Sequence, residues 1–496
     1  MTKIPVAMAT QHPDSASRYI PGGEEPEEAL ICLKKETEGG YGCDECKPDY
    51  EGKLTPYQQL SQIVMMLIDA GMTPGEDVYI TPRIPSAILE NSFRQIMSLM
   101  AVTEANAVAE AENDIQAIKE VVHPMTCEIK EVLKVRKRIE DVTGLGKKEL
   151  GLKSQEITVI PLLEEVPALL KAYPFVNSFL DLYPERGHIR IFVGKSDAAM
   201  LYSHLASVLA IKVCLSDLKV LEEERSTEIA PIFGGGSLPF RGHITPGNVK
   251  NFMKEYEGVR TVTIQSGLRY DYGREECVKV IKELKECIPG GKLREIEREE
   301  REKMREAVCI FAKNYFSTFL KIEEVVSEVA RIIPSQRDRL IARGPMKYVR
   351  EAPDVEALAK LTGDNELSNE LLRMKIGKKI SLPRAISFTA TMYTVGVPPT
   401  IIGTGRGLEE VKKRLGSAFQ EKLICELYPS LESDLKFDFQ FVDLKNARKF
   451  IDATAIKEIA TDIEILADYF DLPAEGDKPH KMMASMVNSY ILLTRE

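Results

Sequence analysis

Apolar residues along this chain gather in short, nearly continuous runs separated by longer stretches of helical periodicity, and polar residues interrupt each run at its end. The runs are VAMATQ (6–11), DVYITPR (77–83), EITVIPLLE (156–164), HIRIFVGKSD (188–197), EIAPIFGGGS (228–237), TVTIQSGLR (261–269), ISLPRAISF (380–388) and PPTIIGTGRG (398–407). Continuous rather than alternating hydrophobicity marks strands buried on both faces, and intervening segments such as AAMLYSHLASVLAIKV supply the helices that cover them. Eight such units predict an α/β fold, a (β/α)8 TIM-like barrel with extensive extra α-helices. A doubly wound open sheet is the alternative, but no GxGxxG opens a helix after an early strand, and GTGRG (403–407) comes only with the last run. The stretches 14–75, 85–150 and 272–375 exceed ordinary connections, so they are expected to be helical insertions, with 409–496 as a helical C-terminal extension of one domain spanning 1–496.

The polar residues at the run ends carry the candidate chemistry. His12, Arg83, Glu164, Asp197, the 234–237 glycine stretch with Arg241, Arg269, Arg384 and Arg406 fall at or near C-terminal strand ends, the face on which barrel active sites are built. A single strand-end carboxylate is usually a helix cap or an ion-pair partner. Two on successive strands, Glu164 and Asp197, suit Mg2+ or Mn2+, hard cations that take oxygen ligands and keep positions for water or substrate. Several arginines at the same mouth imply an anionic substrate, because the guanidinium fork grips carboxylate or phosphate in two places. Gly235, Gly236 and Ser237 offer backbone N–H groups that can wrap a phosphate, and Arg241 and His243 close behind them suggest a mobile, water-excluding lid.

Histidines are few enough to weigh singly. His12, followed by Pro13, is the candidate for proton transfer. His123 is read as a helix-end residue outside the barrel strands, His188 as the opening of a strand, and His204 as a core residue on a helix face.

Composition narrows the class. A chain of 496 residues with 44% hydrophobic content can bury a large core, and its formal charge of -10 comes with well-mixed signs. The densest charge run, REIEREEREKMREA (294–307), reads as a solvated helix. No apolar run is long enough to span a bilayer and the N-terminal stretch is unlike a signal peptide, so a cytoplasmic protein without membrane or nucleic-acid partners is expected. Nine scattered cysteines suit reduced thiols, and the lone CxxC pair, Cys43 and Cys46, lacks the second pair a structural zinc site needs.

At the level of motifs the chain resembles phosphoenolpyruvate carboxylase in its short archaeal-type form. ATQHPDS resembles the family's TAHPTE-type histidine motif, TPRIPS its R-x-x-S strand end, IPLLEE its PLFET, and VGKSDAAM its GYSDSxKD. FGGGSLPFRGH is similar to the GRGGxxGRGG loop, and MKIGKK with LPRAISFTATMYTVGVPPTIIGTGRGL to the KIGSRP and LRAIPWxFAWTQ stretches, in preserved order from residue 9 to 408. The resemblance implies Glu164 and Asp197 as ligands of Mg2+ (or Mn2+), His12 as the catalytic histidine, Arg241 as the loop arginine, and Lys379 with Arg384 on the substrate phosphate. It implies Arg83 in substrate positioning, phosphoenolpyruvate and bicarbonate as substrates, carboxyphosphate and an enolate as intermediates, and a homotetramer. Three positions depart from the family: Met200 stands where it keeps a lysine, Gly234 where it keeps the loop's first arginine, and Lys379 where it keeps the KIGSRP arginine. Lys195 is expected to replace the lysine missing at Met200, since position i−2 shares a strand face with Asp197. Asn488 is a candidate effector contact, and aspartate a candidate feedback inhibitor. Another metal-dependent barrel enzyme acting on phosphoenolpyruvate or pyruvate, or a non-catalytic metabolite-binding scaffold, are the competing readings.

Overall fold

The structure, a computed structural model, describes residues 3–11, 18–153, 155–333, 337–338, 352–374, 376, 382–474 and 476. Among them are eight strands: β1 (Ala7–Thr10), β2 (Glu45–Lys47), β3 (Tyr79–Ile80), β4 (Glu120–His123), β5 (Thr158–Leu163), β6 (His188–Gly194), β7 (Glu228–Gly234) and β8 (Thr261–Ile264). All pair in parallel in the order β3-β2-β1-β8-β7-β6-β5-β4. The remaining seam is bridged just past β3, where Arg83 pairs with Val122 of β4, Ile84 N donates to Val122 O at 3.0 Å and Val122 N to Pro82 O at 2.9 Å. The sheet therefore curls into a nearly closed (β/α)8 barrel with extra helices, as the run pattern predicts.

Two of the eight predicted strands are helical, and two real strands were hidden. The 380–388 run leads into the helix Ala385–Val395, which is apolar nearly all round because both of its sides are buried. Periodicity does not separate such a helix from a buried strand. The 398–407 run becomes a turn and then the helix Thr404–Leu415. Its glycines serve helix packing: a Cβ on Gly403 would lie 2.5 Å from Tyr315 N, and one on Gly407 would lie 2.4 Å from the Phe311 ring. The barrel instead recruits β2 and β4 from the segments read as helical insertions, 14–75 and 85–150. His123, placed by sequence at a helix end outside the strands, is the last residue of β4, and His188 opens β6.

Alternation along the strands sorts side chains between the barrel interior and the surrounding helices. In β6, Ile189, Ile191 and Val193 pack outward into the main core, while Arg190 and Phe192 point inward. The interior is layered. Near its N-terminal end Arg190 meets Glu45, Glu120 and Thr261; above them Met8, Val122, Ile160, Leu162, Phe192 and Ile232 form an apolar plug. The plug separates that polar layer from a cleft at the C-terminal mouth.

Outside the barrel, the long helix Arg298–Ile332 packs against His204–Arg225, Thr404–Leu415 and Ala453–Phe470. No helix among the described residues is long and apolar enough to cross a membrane. Cys43 and Cys46 are buried core thiols, and burial pushes both well above the ordinary thiol range.

Candidate active site

The mouth cleft is lined from several strands at once, by Thr10, Lys47, Arg83, Glu164, Asp197 and Arg241 among others. Glu164 stands one residue beyond β5, and its Oε1 accepts a hydrogen bond from Met125 N at 3.0 Å. Gly194 on the neighbouring strand makes room for it: a Cβ there would lie 2.7 Å from Glu164 Cβ. Asp197 lies in the first turn of the helix Ser196–Tyr202, which starts as soon as β6 ends, so it reaches the cleft from a helix N-terminus rather than a strand. An acidic side chain is favoured there by the helix dipole.

The glycine-rich segment lines the same cleft through Gly234 and Arg241. Gly236 N donates to Arg241 O at 2.7 Å and Ile244 N to Gly236 O at 3.0 Å, folding the segment back on itself. Inside that fold Arg241 Nε donates to Ser196 Oγ at 3.1 Å and its Nη2 to Gln265 Oε1 at 2.8 Å. A side chain on Gly236 would strike both partners, with Gln265 Oε1 at 2.6 Å and the Arg241 guanidinium at 3.2 Å. Glycine at 236 thus leaves room for the contact between the loop arginine and Gln265. Ser237, half-buried, follows in the same loop.

Arg83 comes from the seam between β3 and β4. Its Nε donates to Asp49 Oδ1 at 2.8 Å, and its two terminal nitrogens pair with Asp49 and Glu51, both at 2.6 Å. Those carboxylates hold the guanidinium firmly charged although it is buried. Lys47, at the end of β2, lines the same cleft and is only 4% exposed; burial, with Arg83 nearby, pulls its ammonium down to about 8. Sequence reasoning missed Lys47, because ECK carries no hydrophobic signature of a strand.

Two carboxylates from adjacent barrel units, a loop arginine and two further buried cations thus line one mouth. The family model described as phosphoenolpyruvate carboxylase matches residues 4–493. A phosphoenolpyruvate carboxylase from Methanosarcina acetivorans is 40% identical over 495 residues, covering 98% of this chain and 93% of the relative. The chain belongs to the phosphoenolpyruvate carboxylase family. The family protein from Methanopyrus kandleri is likewise 40% identical over 501 residues, covering 99% of this chain and 93% of its own. Among solved structures, a Rubisco-like protein from Rhodopseudomonas palustris overlaps 57% of this chain and 64% of its own at 12% identity and a TM-score of 0.33, too loose a likeness to bear on fold or site.

Around this cleft the sequence-predicted residues separate. Glu164, Asp197, Lys195, Arg241 and Arg83 all line it. Arg269 is buried below the mouth, donating to Ile264 O at 2.6 Å and to Thr10 O and Glu28 Oε1 at 2.9 Å. It serves to tie β8 to β1. Arg406 does not reach the mouth at all: it lies in the helix Thr404–Leu415 and pairs with the buried Asp462 at 2.9 Å, with further bonds to Ser317 and Thr318. Arg384 precedes the helix Ala385–Val395 and donates to Gly52 O at 2.9 Å. His12, Lys379 and Asn488 lie outside the described residues.

The departures from the family pattern also find their places. Met200 is fully buried in the main core, with its carbonyl accepting from Tyr315 at 2.7 Å. Lys195 cannot share a strand face with Asp197, since β6 stops at Gly194 and Asp197 is helical. Its ammonium is buried against Ser207 Oγ at 2.7 Å and His204 Nδ1 at 3.2 Å, and burial draws it down to about 7. A hydrogen-bonded chain continues from there through His204 Nε2 and Tyr428 to Asp434, which also holds His243 at the base of the glycine loop. Burial keeps His204 neutral, so Nε2 carries the proton given to Tyr428 and Nδ1 accepts from Lys195.

The metal question turns on donor number. Among the described residues no group of three or more His, Cys, Asp or Glu side chains gathers to hold an ion, which argues against a closed protein cage. Glu164 and Asp197 alone fit Mg2+ or Mn2+, which is commonly held by one or two carboxylates with substrate oxygens and water completing the shell.

Proposed function

We propose that this chain is a phosphoenolpyruvate carboxylase that joins bicarbonate to phosphoenolpyruvate, giving oxaloacetate and phosphate. The observation that carries the reading is the convergence of Glu164, Asp197 and the loop arginine Arg241 on one barrel-mouth cleft in a chain of this family. A divalent cation held by Glu164 and Asp197 would offset the negative charge of the substrate oxygens.

The protein's own groups then have defined tasks. Phosphoryl transfer to a bicarbonate oxygen breaks the phosphoenolpyruvate C–O–P link and leaves pyruvate enolate with carboxyphosphate. Arg241, fixed by Ser196 and Gln265, neutralises the migrating phosphoryl oxygens without having to reorganise. His12 takes the carboxyphosphate proton, the C–O bond to phosphate breaks, and the enolate carbon attacks the CO2 released beside it. The folded glycine segment 234–241 keeps water away from the enolate, which would otherwise be protonated to pyruvate. Arg83, locked by Asp49 and Glu51, presents a fixed positive charge to the substrate. The chain acts in this reading as an anaplerotic, carbon-fixing cytoplasmic homotetramer, a state that light scattering would report.

The test is a coupled assay for oxaloacetate from phosphoenolpyruvate, with bicarbonate and Mg2+ omitted in turn. Oxaloacetate should form only when both are present, in step with phosphate. Phosphoenolpyruvate consumption that ignores bicarbonate would point to the alternative, another metal-dependent lyase or phosphotransferase, and binding without turnover to a scaffold.

A further inference from the structure

The inward face of β2 alternates two charged residues with opposite fates. Glu45 enters the barrel interior and is consumed by Arg190, whose Nη1 and Nη2 reach its two carboxylate oxygens at 2.8 and 2.7 Å. Two positions on, and hence on the same face, Lys47 reaches the mouth. There it is 4% exposed and makes no hydrogen bond or ion pair with any described residue. The other buried cations nearby are committed: Arg83 to Asp49 and Glu51, Arg269 to Glu28 and two carbonyls. Burial of this ammonium outweighs the attraction of Asp49, Glu51 and Glu164, so it is costly to keep, and apolar side chains of similar length are available to fold a barrel equally well.

Charge balance at the cleft gives the expense a purpose. Glu164 and Asp197 line it with two negative charges, and Arg83 brings Asp49 and Glu51 with it. With methionine at 200 and glycine at 234, two cations of the family pattern are absent, so without Lys47 the protein groups around the cleft would carry more negative than positive charge. A trianionic substrate would then meet a net negative lining in which Arg83 and Arg241 already hold side-chain partners. Position adds to the case: Lys47 is paired across the sheet with Thr10, and its carbonyl accepts from Gln11 N at 3.2 Å, beside the segment that bears His12.

We propose that Lys47 is a substrate-binding residue of this site, its ammonium contacting an anionic oxygen of phosphoenolpyruvate and standing in for the cations missing at positions 200 and 234. The inference rests on the proposed carboxylase reaction, and its test can fail separately. Lys47→Met should raise KM for phosphoenolpyruvate and lower kcat/KM by about 100-fold, the scale of one lost charge-assisted hydrogen bond. KM for bicarbonate should stay within about twofold, and Lys47→Arg should recover part of the loss. Phosphoenolpyruvate should raise the melting temperature of the wild type but not of Lys47→Met, whose own melting temperature should equal or exceed the wild type because a desolvated buried charge has been removed. If Lys47→Met fails to fold, Lys47→Gln serves in the same two measurements. A wild-type KM for phosphoenolpyruvate together with an undiminished melting shift in the variant would overturn the assignment. Wild-type protein that makes no oxaloacetate would instead defeat the carboxylase reading, leaving Lys47 to be judged by the melting shift alone.

Discussion

At the N-terminal end of the barrel interior a single arginine, Arg190, is held at 2.7–2.9 Å by Glu45 and Glu120 and braced by Thr261. At the C-terminal end, across the apolar plug, Glu164, Asp197, Arg241, Arg83 and Lys47 line one cleft, and the Lys47 ammonium forms no close ion pair among the described residues. Both ends are buried and both are charged. They differ in whether the charges close among themselves. In the lower cluster both terminal nitrogens of Arg190 are bound by protein groups, so its contribution is to stability and register. On the proposed carboxylase reading the upper one is completed by substrate and metal, which is what a site must do if its binding energy is to go to ligands.

Breaking the lower cluster should therefore cost fold rather than function. Arg190→Met leaves Glu45 buried without its partner, a class of change worth about 3–5 kcal/mol of unfolding free energy. The variant should melt well below wild type while the folded enzyme keeps KM for phosphoenolpyruvate within about twofold, read by thermal denaturation and by kinetics at low temperature. A tenfold loss of kcat/KM with unchanged melting would reverse the roles assigned to the two ends.

A smaller effect sharpens the boundary of the site. Arg406→Gln should lower stability by about 1–3 kcal/mol, since Asp462 stays buried and loses a charged donor. Neither KM nor kcat should move, because Arg406 sits among helices remote from the cleft. A raised KM for phosphoenolpyruvate in this variant would return the GTGRG stretch to the substrate site.

The same contrast explains what could be read from sequence. HIRIFVG, buried on both faces by the plug and the helices, announces a strand, and the polar residues that follow it mark the mouth; Glu164, Asp197, Arg83 and Arg241 were legible for that reason. ECK and EVVH were not, because the first carries Glu45 and Lys47 into the interior and the second is only four residues long. Charge inside a barrel erases the hydrophobic signal on which strand recognition depends. Arg406 shows the opposite error: a glycine-rich segment with a basic residue looks like a phosphate loop, whereas Gly403 and Gly407 are small because Tyr315 and Phe311 press against them. Sequence also gives no sign that the Lys195 ammonium is held by Ser207 and His204; that follows from β6 ending one residue earlier.

The most direct test of the central claim, that the open charge cluster at the barrel mouth is where carbon is fixed, follows the label from 13C-bicarbonate in wild-type protein and in Asp197→Asn. Wild type should place the label in oxaloacetate, in step with phosphate release. The variant should retain the wild-type fold by circular dichroism and melting, yet incorporate label at least about 1000-fold more slowly, the scale expected when electrostatic stabilisation of the reacting oxygens is removed. Unlabelled product from wild type, or undiminished labelling by Asp197→Asn, would contradict the account.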